Sequence, residues 1–310
     1  MKAAQINKYG GPEVIEINEV DKPTPKAGQV LVEVHAAAIN PFDWKVRSGA
    51  YQKMIPIKFP MTVGADFSGV ITQLGKGVTE FSVGDEVFGT AITLSGGSGA
   101  VAEYTVANSD NTALKPANTN FEEAAALVLV GISAFQALDK LNLQTGQKLL
   151  IHGGAGGIGS TAIQYAKHLG AYVATTVRSD DTEFVKQLGA DEVIDYEKQV
   201  FENELKDYDA VFDTVGGDAY SKSFKVLKKG GILISMVEQR SEELASRCGV
   251  KALMQNSEEK TKDLLRLKKL AEDGVIKPQI DKKFPLEQTA EAFKHLETGH
   301  PQGKVVITIR

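Results

Sequence analysis

The sequence contains a single cysteine, Cys248, among its 310 residues. One thiol cannot form an intrachain disulfide, and it cannot build a structural zinc site from four thiolates. The chain also lacks an excess of basic charge, because 35 Lys and Arg stand against 40 Asp and Glu for a net charge of -5. A strongly basic face is typical of nucleic-acid-binding proteins, so the composition predicts no nucleic-acid partner.

Long apolar segments are missing as well. The most apolar run covers residues 124–135 and already contains Gly131 and Ser133. A helix needs about 20 apolar residues to cross a bilayer, so this run predicts a buried helix and no membrane association. The first ten residues, MKAAQINKYG, have no apolar core of the kind found in secretory signals. We therefore expect a cytoplasmic protein.

The composition that remains is 42% hydrophobic and 24% charged, with 30 glycines, which is typical of a globular protein rich in turns. The length predicts about two domains. Residues 1–120 contain short alternating segments separated by Gly and Pro, and this pattern predicts a compact β-barrel-like domain.

After residue 120 the pattern changes to one that favours an α/β fold. Thr119 or Asn120, followed by Glu122 and Glu123, indicates a helix start, with helix through residue 126 and again over 132–141. The predicted strands that follow are 148–152, 172–177, 193–196, 209–213, 232–236 and 251–254, and the predicted helices are 157–169, 182–188, 219–227 and 258–272. This alternation predicts a doubly wound parallel sheet. We expect residues 121–272 to form a dinucleotide-binding domain, and residues 273–310, which end in a strand, to rejoin residues 1–120.

A glycine-rich loop stands between the first predicted strand and helix of this region. The segment Gly154-Ala155-Gly156-Gly157-Ile158-Gly159 matches G-x-G-x-x-G in the context that the motif requires. Glycines permit a tight turn and a close approach to a pyrophosphate, to which the helix N-terminus offers free N–H groups. The loop therefore predicts a dinucleotide site, and a ligand-free glycine turn is the alternative.

The end of the second predicted strand indicates which dinucleotide binds. An NAD site usually places a carboxylate about 20 residues beyond the glycine loop. This chain has Thr176-Val177-Arg178-Ser179 there. No carboxylate in this segment repels a 2′-phosphate and Arg178 offers a charge-assisted fork, so the segment favours NADPH. A solvated surface arginine is the alternative reading of Arg178.

Besides the glycine loop, the chain contains a series of longer characteristic segments, and their order along the chain is informative. They are Asn40-Pro41-Phe42-Asp43, Arg47 to Tyr51, Gly64 to Val70, Gly84-Asp85-Glu86-Val87, Gly131 to Ala137, His152 to Gly159, Leu188 to Tyr196, Asp213 to Gly217 and Gly303-Lys304-Val305-Val306. In this order the chain resembles, nearly end to end, the medium-chain dehydrogenase/reductase superfamily in its zinc-independent quinone oxidoreductase and enone reductase branch.

The resemblance implies a Rossmann domain inserted into a GroES-like catalytic domain, with the active site in the cleft between them. In the zinc alcohol dehydrogenases of the superfamily, a Cys and a Gly-His-Glu motif contribute to the catalytic metal site. The corresponding positions here are Asn40 and Gly64-Ala65-Asp66. Neither Asn nor Ala replaces a thiolate or an imidazole around zinc, so we expect no metal.

The resemblance also implies contacts for the cofactor. In this branch a Ser and a following Lys after the second strand often hold the 2′-phosphate, while a Tyr packs beside the adenosine. Ser179 and Tyr196 fit, whereas Asp180 and Asp181 follow Ser179 in place of a lysine. The residues predicted to bind the cofactor are Ser133, Gly154, Gly156, Gly157, Ile158, Gly159, Thr176, Arg178, Ser179, Tyr196, Thr214, Val215, Met236 and Lys304.

The function implied is an NADPH-dependent reductase that transfers hydride to a quinone or an α,β-unsaturated carbonyl. Without zinc, a hydrogen-bond donor must polarise the acceptor oxygen. Lys45 and Tyr51 are the candidates because they flank the Asn-Pro-x-Asp segment, and Asn40 is expected to orient them or the nicotinamide. A surface lysine and a loop-packing tyrosine are the alternatives.

Two other functions stay open at this point. An enoyl-thioester reductase would act on crotonyl thioesters, and an NADPH-binding sensor would bind the cofactor without turnover. We further expect a homodimer formed through the predicted strand 251–254, because an unpaired apolar edge strand invites association and the family often assembles in this way.

Overall fold

The computed structural model describes all residues, 1–310. Sixteen strands occur in chain order: β1 (Lys2–Ile6), β2 (Ile15–Glu19), β3 (Gln29–Ile39), β4 (Met61–Thr62), β5 (Asp66–Leu74), β6 (Glu86–Thr90), β7 (Tyr104–Asn108), β8 (Thr112–Leu114), β9 (Lys148–His152), β10 (Tyr172–Val177), β11 (Glu192–Asp195), β12 (Tyr208–Asp213), β13 (Leu227–Ser235), β14 (Lys251–Met254), β15 (Ile280–Pro285) and β16 (Lys304–Thr308). Nine α-helices accompany them: α1 (Pro41–Ser48), α2 (Phe121–Leu141), α3 (Gly157–His168), α4 (Thr182–Gln187), α5 (Phe201–Glu204), α6 (Gly217–Ser223), α7 (Glu242–Cys248), α8 (Thr261–Glu272) and α9 (Thr289–Thr298).

The chain divides into two compact units. Unit 1 comprises Met1–Leu129, Glu259–Gly274 and Pro278–Arg310, and unit 2 comprises Val130–Glu258 and Val275–Lys277. This division differs from the predicted boundaries at residues 120 and 272, because α8 belongs to unit 1. The Thr261 hydroxyl lies 3.1 Å from the carbonyl oxygens of Ser109 and Thr112, and the Asn118 amide donates to the Ala271 carbonyl at 3.0 Å. These bonds fasten both ends of α8 to unit 1.

Unit 1 is built on β-sheets. A seven-stranded sheet has the order β15-β16-β3-β5-β6-β8, with β7 also paired to β3, and a three-stranded sheet has the order β2-β1-β4. The C-terminal β16 pairs antiparallel with β3, so the two ends of the chain share one sheet. The apolar faces enclose a core that includes Ile6, Phe67, Ile71 and Phe293.

Helix α1 begins at the end of β3 for local reasons. Asn40 is the N-cap, and Pro41 occupies the first turn, where its missing N–H and fixed φ suit a helix start. Gly49 ends the helix with φ 83°, a left-handed conformation that glycine adopts without strain. The helix buries Asp43, Val46 and Arg47. The sequence pattern did not predict α1, nor the short helices α7 and α9.

Unit 2 is the predicted doubly wound sheet. Its six strands are all parallel in the order β11-β10-β9-β12-β13-β14. The chain therefore winds outward from β9 in one direction and then outward from β12 in the other. Ligands of such sheets bind beyond the carboxyl ends of the strands on either side of this reversal. β14 pairs with β13 alone and forms one edge of the sheet.

Helix α2 corrects the prediction of two helical stretches, because Phe121–Leu141 is one continuous helix of 21 residues. Gly131 lies within it without interrupting it. The predicted cap at Asn120 is present: its side chain accepts from the Glu123 N–H at 2.8 Å, while the Glu123 carboxylate accepts from the Asn120 N–H at 2.9 Å. The helix is long and apolar enough to cross a membrane by length and composition, but 78% of its most apolar window is buried in the protein.

Candidate active site

The glycine loop after β9 has the geometry of a pyrophosphate cradle. A Cβ on Gly154 would lie 2.0 Å from Thr175 Oγ1, and a Cβ on Gly159 would lie 2.1 Å from the Gly153 carbonyl oxygen. Both positions therefore require glycine for packing. A Cβ on Gly156 would meet nothing closer than 3.5 Å. The space above Gly156 is open at the point where the motif brings backbone next to phosphate.

The N-terminus of α3 faces this space without a side-chain cap. Gly156 is the N-cap residue, and it offers no side chain to the first N–H groups of the helix. Gly157 and Ile158, which begin the helix, are half-buried. Uncapped N–H groups and the partial positive charge of a helix N-terminus favour an anion at this position. The predicted loop residues thus fit a dinucleotide pyrophosphate.

A buried histidine fixes the strand that carries the loop. His152 Nδ1 lies 2.9 Å from Thr176 Oγ1 and its Nε2 lies 2.8 Å from Ser223 Oγ. Burial lowers the pKa of His152 to about 4, so the ring is neutral near pH 7. The Thr176 hydroxyl, predicted as a cofactor contact, is thereby engaged in holding β9 to β10. The Thr214 hydroxyl likewise donates to the His152 carbonyl at 2.7 Å.

Three further predicted cofactor residues of unit 2 lie in different surroundings. Val215 follows β12, and its apolar side chain is 59% exposed, which leaves it free to pack on a ligand. Met236 is half-buried at the end of β13, where its N–H donates to the Asp213 carbonyl at 2.9 Å. Ser133 is fully buried, and its Oγ lies 2.7 Å from Ser257 Oγ.

The ends of the neighbouring strands β10 and β11 bring together a cluster of charged side chains. Ser179 Oγ donates to Asp195 Oδ2 at 2.5 Å, and Lys198 Nζ contacts both groups, at 2.7 Å and 2.8 Å respectively. Arg178 Nε lies 3.5 Å from Glu197 Oε1, and the Ser179 N–H donates to Glu197 Oε2 at 3.3 Å. Hydrogen bonding between Lys198 and Asp195 lowers the pKa of the carboxyl and raises the pKa of the ammonium. Both groups are charged near neutral pH.

Lys198 is a residue that the sequence prediction missed. The signal was present, because adjacent parallel strands place the loops that follow them side by side. The predicted Arg178 and Ser179 therefore have a lysine neighbour from another loop. Tyr196, also predicted, is 52% exposed in the same loop, and its N–H donates to the Val177 carbonyl at 3.1 Å.

A second cluster of polar groups is buried in unit 1. The Asn40 side-chain amide donates to Asp66 Oδ2 at 2.8 Å, and its oxygen accepts a short hydrogen bond from Lys304 Nζ. The Lys304 ammonium also donates to the Ile39 carbonyl at 2.9 Å and lies 3.8 Å from Asp66. Lys304, predicted to bind the cofactor, is instead a buried partner of Asn40. The reason is that Lys304 opens β16, which pairs with β3 directly before Asn40.

Burial shifts the protonation equilibria of this cluster. It raises the pKa of Asp66 and lowers the pKa of Lys304, and each shift is opposed by the charge of the other group. Asp43 accepts from the Asn40 N–H at 2.7 Å. Burial, reinforced by the charge of Asp66, raises the pKa of Asp43 to about 7. Asp43 is thus poised between its neutral and charged forms near neutral pH.

The first turns of α1 line a pocket in unit 1. Its empty space is about 300 Å³, including the solvent at its mouth. The lining residues are Phe42, Asp43, Val46, Met61, Thr62, Val63, Gly64, Ile92, Thr93 and Leu94. Its wall is mostly apolar with one titratable carboxyl, but the cavity itself measures only about 20 Å³, which is room for about one water molecule, so an organic molecule would enter it only after its walls move.

Of the two predicted donors, only Tyr51 packs on a residue that lines this pocket. Tyr51 is half-buried and packs on Phe42, with 5.9 Å between the ring centroids. Lys45 is half-buried on α1, and its ammonium lies 5.8 Å from the centroid of the Trp44 ring. Neither side chain is part of the pocket lining. Their predicted role in polarising the substrate stays a prediction.

Together, an open six-stranded parallel sheet, a glycine loop with room for phosphate and a β-rich unit with an apolar pocket define a dinucleotide-binding protein of two units. Comparison with known proteins specifies the family. The family described as "Alcohol dehydrogenase GroES-like domain" matches residues 26–117, and the family described as "Zinc-binding dehydrogenase" matches residues 188–307.

Named relatives match almost the whole chain. The "2-methylene-furan-3-one reductase" of Solanum lycopersicum is 37% identical over 99% of this chain and 79% of its own length. The "NADPH-dependent alkenal/one oxidoreductase, chloroplastic" of Arabidopsis thaliana is 36% identical over the same shares. The quinone oxidoreductase from Coxiella burnetii has a structure similar with a TM-score of 0.94 at 34% identity, over 100% of this chain and 99% of that one. The Escherichia coli quinone oxidoreductase complexed with NADPH gives 0.91 at 27% identity over both whole chains.

The chain belongs to the medium-chain dehydrogenase/reductase superfamily, among its quinone oxidoreductases and enone reductases. The predictions of the family and of the fold class, a Rossmann sheet with a GroES-like domain, are confirmed.

Proposed function

We propose that this protein is an NADPH-dependent oxidoreductase that reduces quinones or α,β-unsaturated carbonyl compounds. The names of its relatives support this function, since they include an alkenal/one oxidoreductase that depends on NADPH, a furanone reductase and quinone oxidoreductases. The single structural observation that supports a dinucleotide cofactor is the open space at Gly156 in front of the uncapped start of α3.

The residues of unit 2 would bind and orient the cofactor. Gly154, Gly156 and the N–H groups that begin α3 hold the pyrophosphate, and Arg178 with Ser179 provides donors for the 2′-phosphate. The exposed Val215 offers an apolar surface on which a ring can pack. NADPH supplies the hydride when it is bound. The protein's contribution is to fix the position of that donor.

The residues of unit 1 would accommodate the acceptor. Apolar side chains of this pocket, such as Phe42 and Met61, would pack against a conjugated carbonyl compound. Hydride addition at carbon leaves negative charge on the carbonyl oxygen, and a nearby donor stabilises that charge by a few kcal/mol. Lys45 and Tyr51 are the proposed donors. Asn40 acts at a distance from the oxygen, since Asp66 and Lys304 occupy both ends of its amide.

We propose that the reaction needs no catalytic zinc. By the resemblance to the zinc alcohol dehydrogenases, Asn40 and Ala65 correspond to the thiolate and imidazole ligands of the catalytic zinc, and neither side chain is a zinc ligand. The Lys304 ammonium binds Asn40 and so places a positive charge where a second cation would be repelled. No group of three or more His, Cys, Asp or Glu side chains is arranged to hold a metal ion.

A panel of acceptors tests the substrate class. NADPH oxidation would be followed with phenanthrenequinone, benzoquinone, a 2-alkenal, an enone and a crotonyl thioester. We expect turnover with the quinones, the alkenal or the enone. Exclusive turnover of the thioester would favour an enoyl-thioester reductase, and tight NADPH binding without any turnover would favour a sensor protein.

We also propose a homodimer and a cytoplasmic location. The dimer would form through β14, whose outer edge has no strand partner and whose Leu253 and Met254 are only half-buried. The location stays a prediction from the sequence.

A further inference from the structure

We propose that Lys198 is a specificity-determining residue, which acts with Ser179 and Arg178 to recognise the 2′-phosphate of the dinucleotide. This inference rests on the proposed NADPH-dependent function and adds to it a side chain from the loop after β11.

The location of Lys198 follows from the sheet. β10 and β11 are parallel, and Val177 pairs with Asp195, so the loops after both strands leave the sheet side by side. In sheets of this type, the residues after the second strand contact the ribose at its 2′ oxygen. Arg178 and Ser179 hold that position in this chain. Lys198 Nζ lies 2.7 Å from Ser179 Oγ and therefore shares it.

Three donors of different kinds converge there: the Ser179 hydroxyl, the Lys198 ammonium and the Arg178 guanidinium. The side chains of Lys198 and Arg178 are 69% and 37% exposed, so a ligand can reach both. A phosphate dianion accepts charge-assisted hydrogen bonds from the two cations, and from the Ser179 hydroxyl once its proton turns away from Asp195, whereas a neutral ribose hydroxyl gains much less from a cation. Lys198 should therefore act on the phosphorylated ligand alone.

Asp195 holds the Lys198 side chain in place. The Asp195 side chain is only 14% exposed, and its Oδ2 accepts from Lys198 at 2.8 Å and from Ser179 at 2.5 Å. The carboxylate thus holds the ammonium beside the serine before any ligand arrives. A donor that is already positioned loses less conformational freedom on binding.

Glu197 opposes the same recognition from the same loop. It lies 3.5 Å from Arg178 Nε and accepts from the Ser179 N–H at 3.3 Å, so it takes up donors that a phosphate would use. Asp180 and Asp181 add further negative charge next to Ser179 along the chain. Because these carboxylates repel a phosphate, Lys198 is needed to keep the site selective for it.

Calorimetric titration of the full chain with 2′,5′-ADP and with 5′-AMP tests this role without turnover. We expect the native protein to bind 2′,5′-ADP more tightly than 5′-AMP. Lys198→Ala should weaken 2′,5′-ADP about tenfold and leave 5′-AMP within about twofold. Lys198→Arg should retain most of the preference. Lys186→Ala removes another exposed, ion-paired lysine of unit 2 and should change neither ligand.

The outcomes separate this inference from the proposed function. A native preference for 2′,5′-ADP that survives Lys198→Ala unchanged, or equal weakening of both ligands, would overturn the role of Lys198 and leave NADPH dependence intact. Equal affinity of the native protein for the two ligands would contradict NADPH dependence itself, and Lys198 with it. Glu197→Gln should strengthen 2′,5′-ADP several-fold, and weaker binding would show that Glu197 supports the site.

Discussion

At the scale of single residues, Asn40 links the buried charges of unit 1 to the start of α1. Its side chain bonds to Asp66 and Lys304, and its backbone N–H bonds to Asp43. Each bond is inaccessible to solvent, so removing one partner would leave an unsatisfied polar group that costs about 1–3 kcal/mol. Asn40 thereby fixes the helix whose first turns line the pocket.

Lys45 and Tyr51 are each testable as the donor to the acceptor oxygen. We expect at least one of Lys45→Ala and Tyr51→Phe to lower kcat with an enone tenfold or more, because it removes the donor that stabilises the developing oxyanion. NADPH affinity should be retained. A quinone is more reactive and needs less polarisation, so the same variant should lose less activity with it. Steady-state kinetics on both acceptors checks this, and unchanged kcat in both variants would refute the assignment.

The raised pKa of Asp43 has a consequence for stability. Its carboxyl has a pKa of about 7 in the folded protein, above its ordinary value in an unfolded chain, so folding favours the protonated form. That stabilisation is complete below about pH 4 and is lost as pH rises through 7. Asp43→Asn mimics the protonated form at every pH. We expect the variant to gain stability relative to the native protein between pH 5 and pH 8, by about 1 to 4 kcal/mol.

Urea unfolding of both proteins across this pH range is the measurement. Asp66 and Lys304 are present in both proteins, so the part of their contribution that does not depend on the charge of Asp43 cancels in the difference. A stability difference that stays constant with pH would show that Asp43 is charged in the fold throughout the range.

At the level of elements, two glycines of the loop after β9 have different roles: Gly159 is needed for packing, and Gly156 is proposed to be needed for ligand binding. Gly159→Ala would push a Cβ to 2.1 Å from the Gly153 carbonyl oxygen, so we expect a loss of roughly 1–3 kcal/mol or more in stability. Gly156→Ala meets no atom within 3.4 Å, and its stability should change by less than about 1 kcal/mol. Its Cβ would instead fill the phosphate space. We expect its NADPH dissociation constant to rise at least about tenfold, measured by fluorescence titration.

One result with the Gly156→Ala and Gly159→Ala variants would contradict this interpretation. If Gly156→Ala retained native NADPH affinity, the open space at Gly156 would not be the pyrophosphate cradle.

Strands that belong to the alternating α/β pattern were predicted from the sequence, whereas helices outside that pattern were not. The strands β9, β10 and β14 have their predicted bounds, because each is a short apolar run closed by turn residues or helices. Helix α1 is only eight residues long and follows a strand without a loop, so its apolar period is too short to recognise. The prediction left residues 127–131 between two helical stretches, whereas α2 is continuous through them because tertiary packing outweighs local propensity.

The site was predictable to the extent that it depends on local sequence. The glycine loop, Arg178 and Ser179 were predicted from the order of residues, and each directly follows a strand of the parallel sheet, β9 or β10. Their role in binding the cofactor stays a prediction. Lys198 and Lys304 act through contacts between segments distant in sequence, so no local pattern reveals them. Strand order would have indicated Lys198, whereas the buried position of Lys304 depends on the pairing of β16 with β3.

At the scale of the whole molecule, the free edge of β14 bears on assembly. The strand has one hydrogen-bonded neighbour, and pairing with a second copy would satisfy its outer N–H and carbonyl groups. We expect sedimentation velocity at micromolar concentration to show a dimer. A monomer under these conditions would contradict the proposed interface.

The proposed function is hydride transfer from NADPH to a conjugated acceptor without a metal. The most direct measurement is NADPH oxidation with but-3-en-2-one, using protein treated with a chelator and shown by elemental analysis to be free of zinc. We expect NADPH to be consumed one for one with formation of the saturated ketone, at the same rate before and after chelation. Stoichiometric zinc whose removal abolishes the reaction, or no oxidation by a protein that binds NADPH tightly, would contradict it.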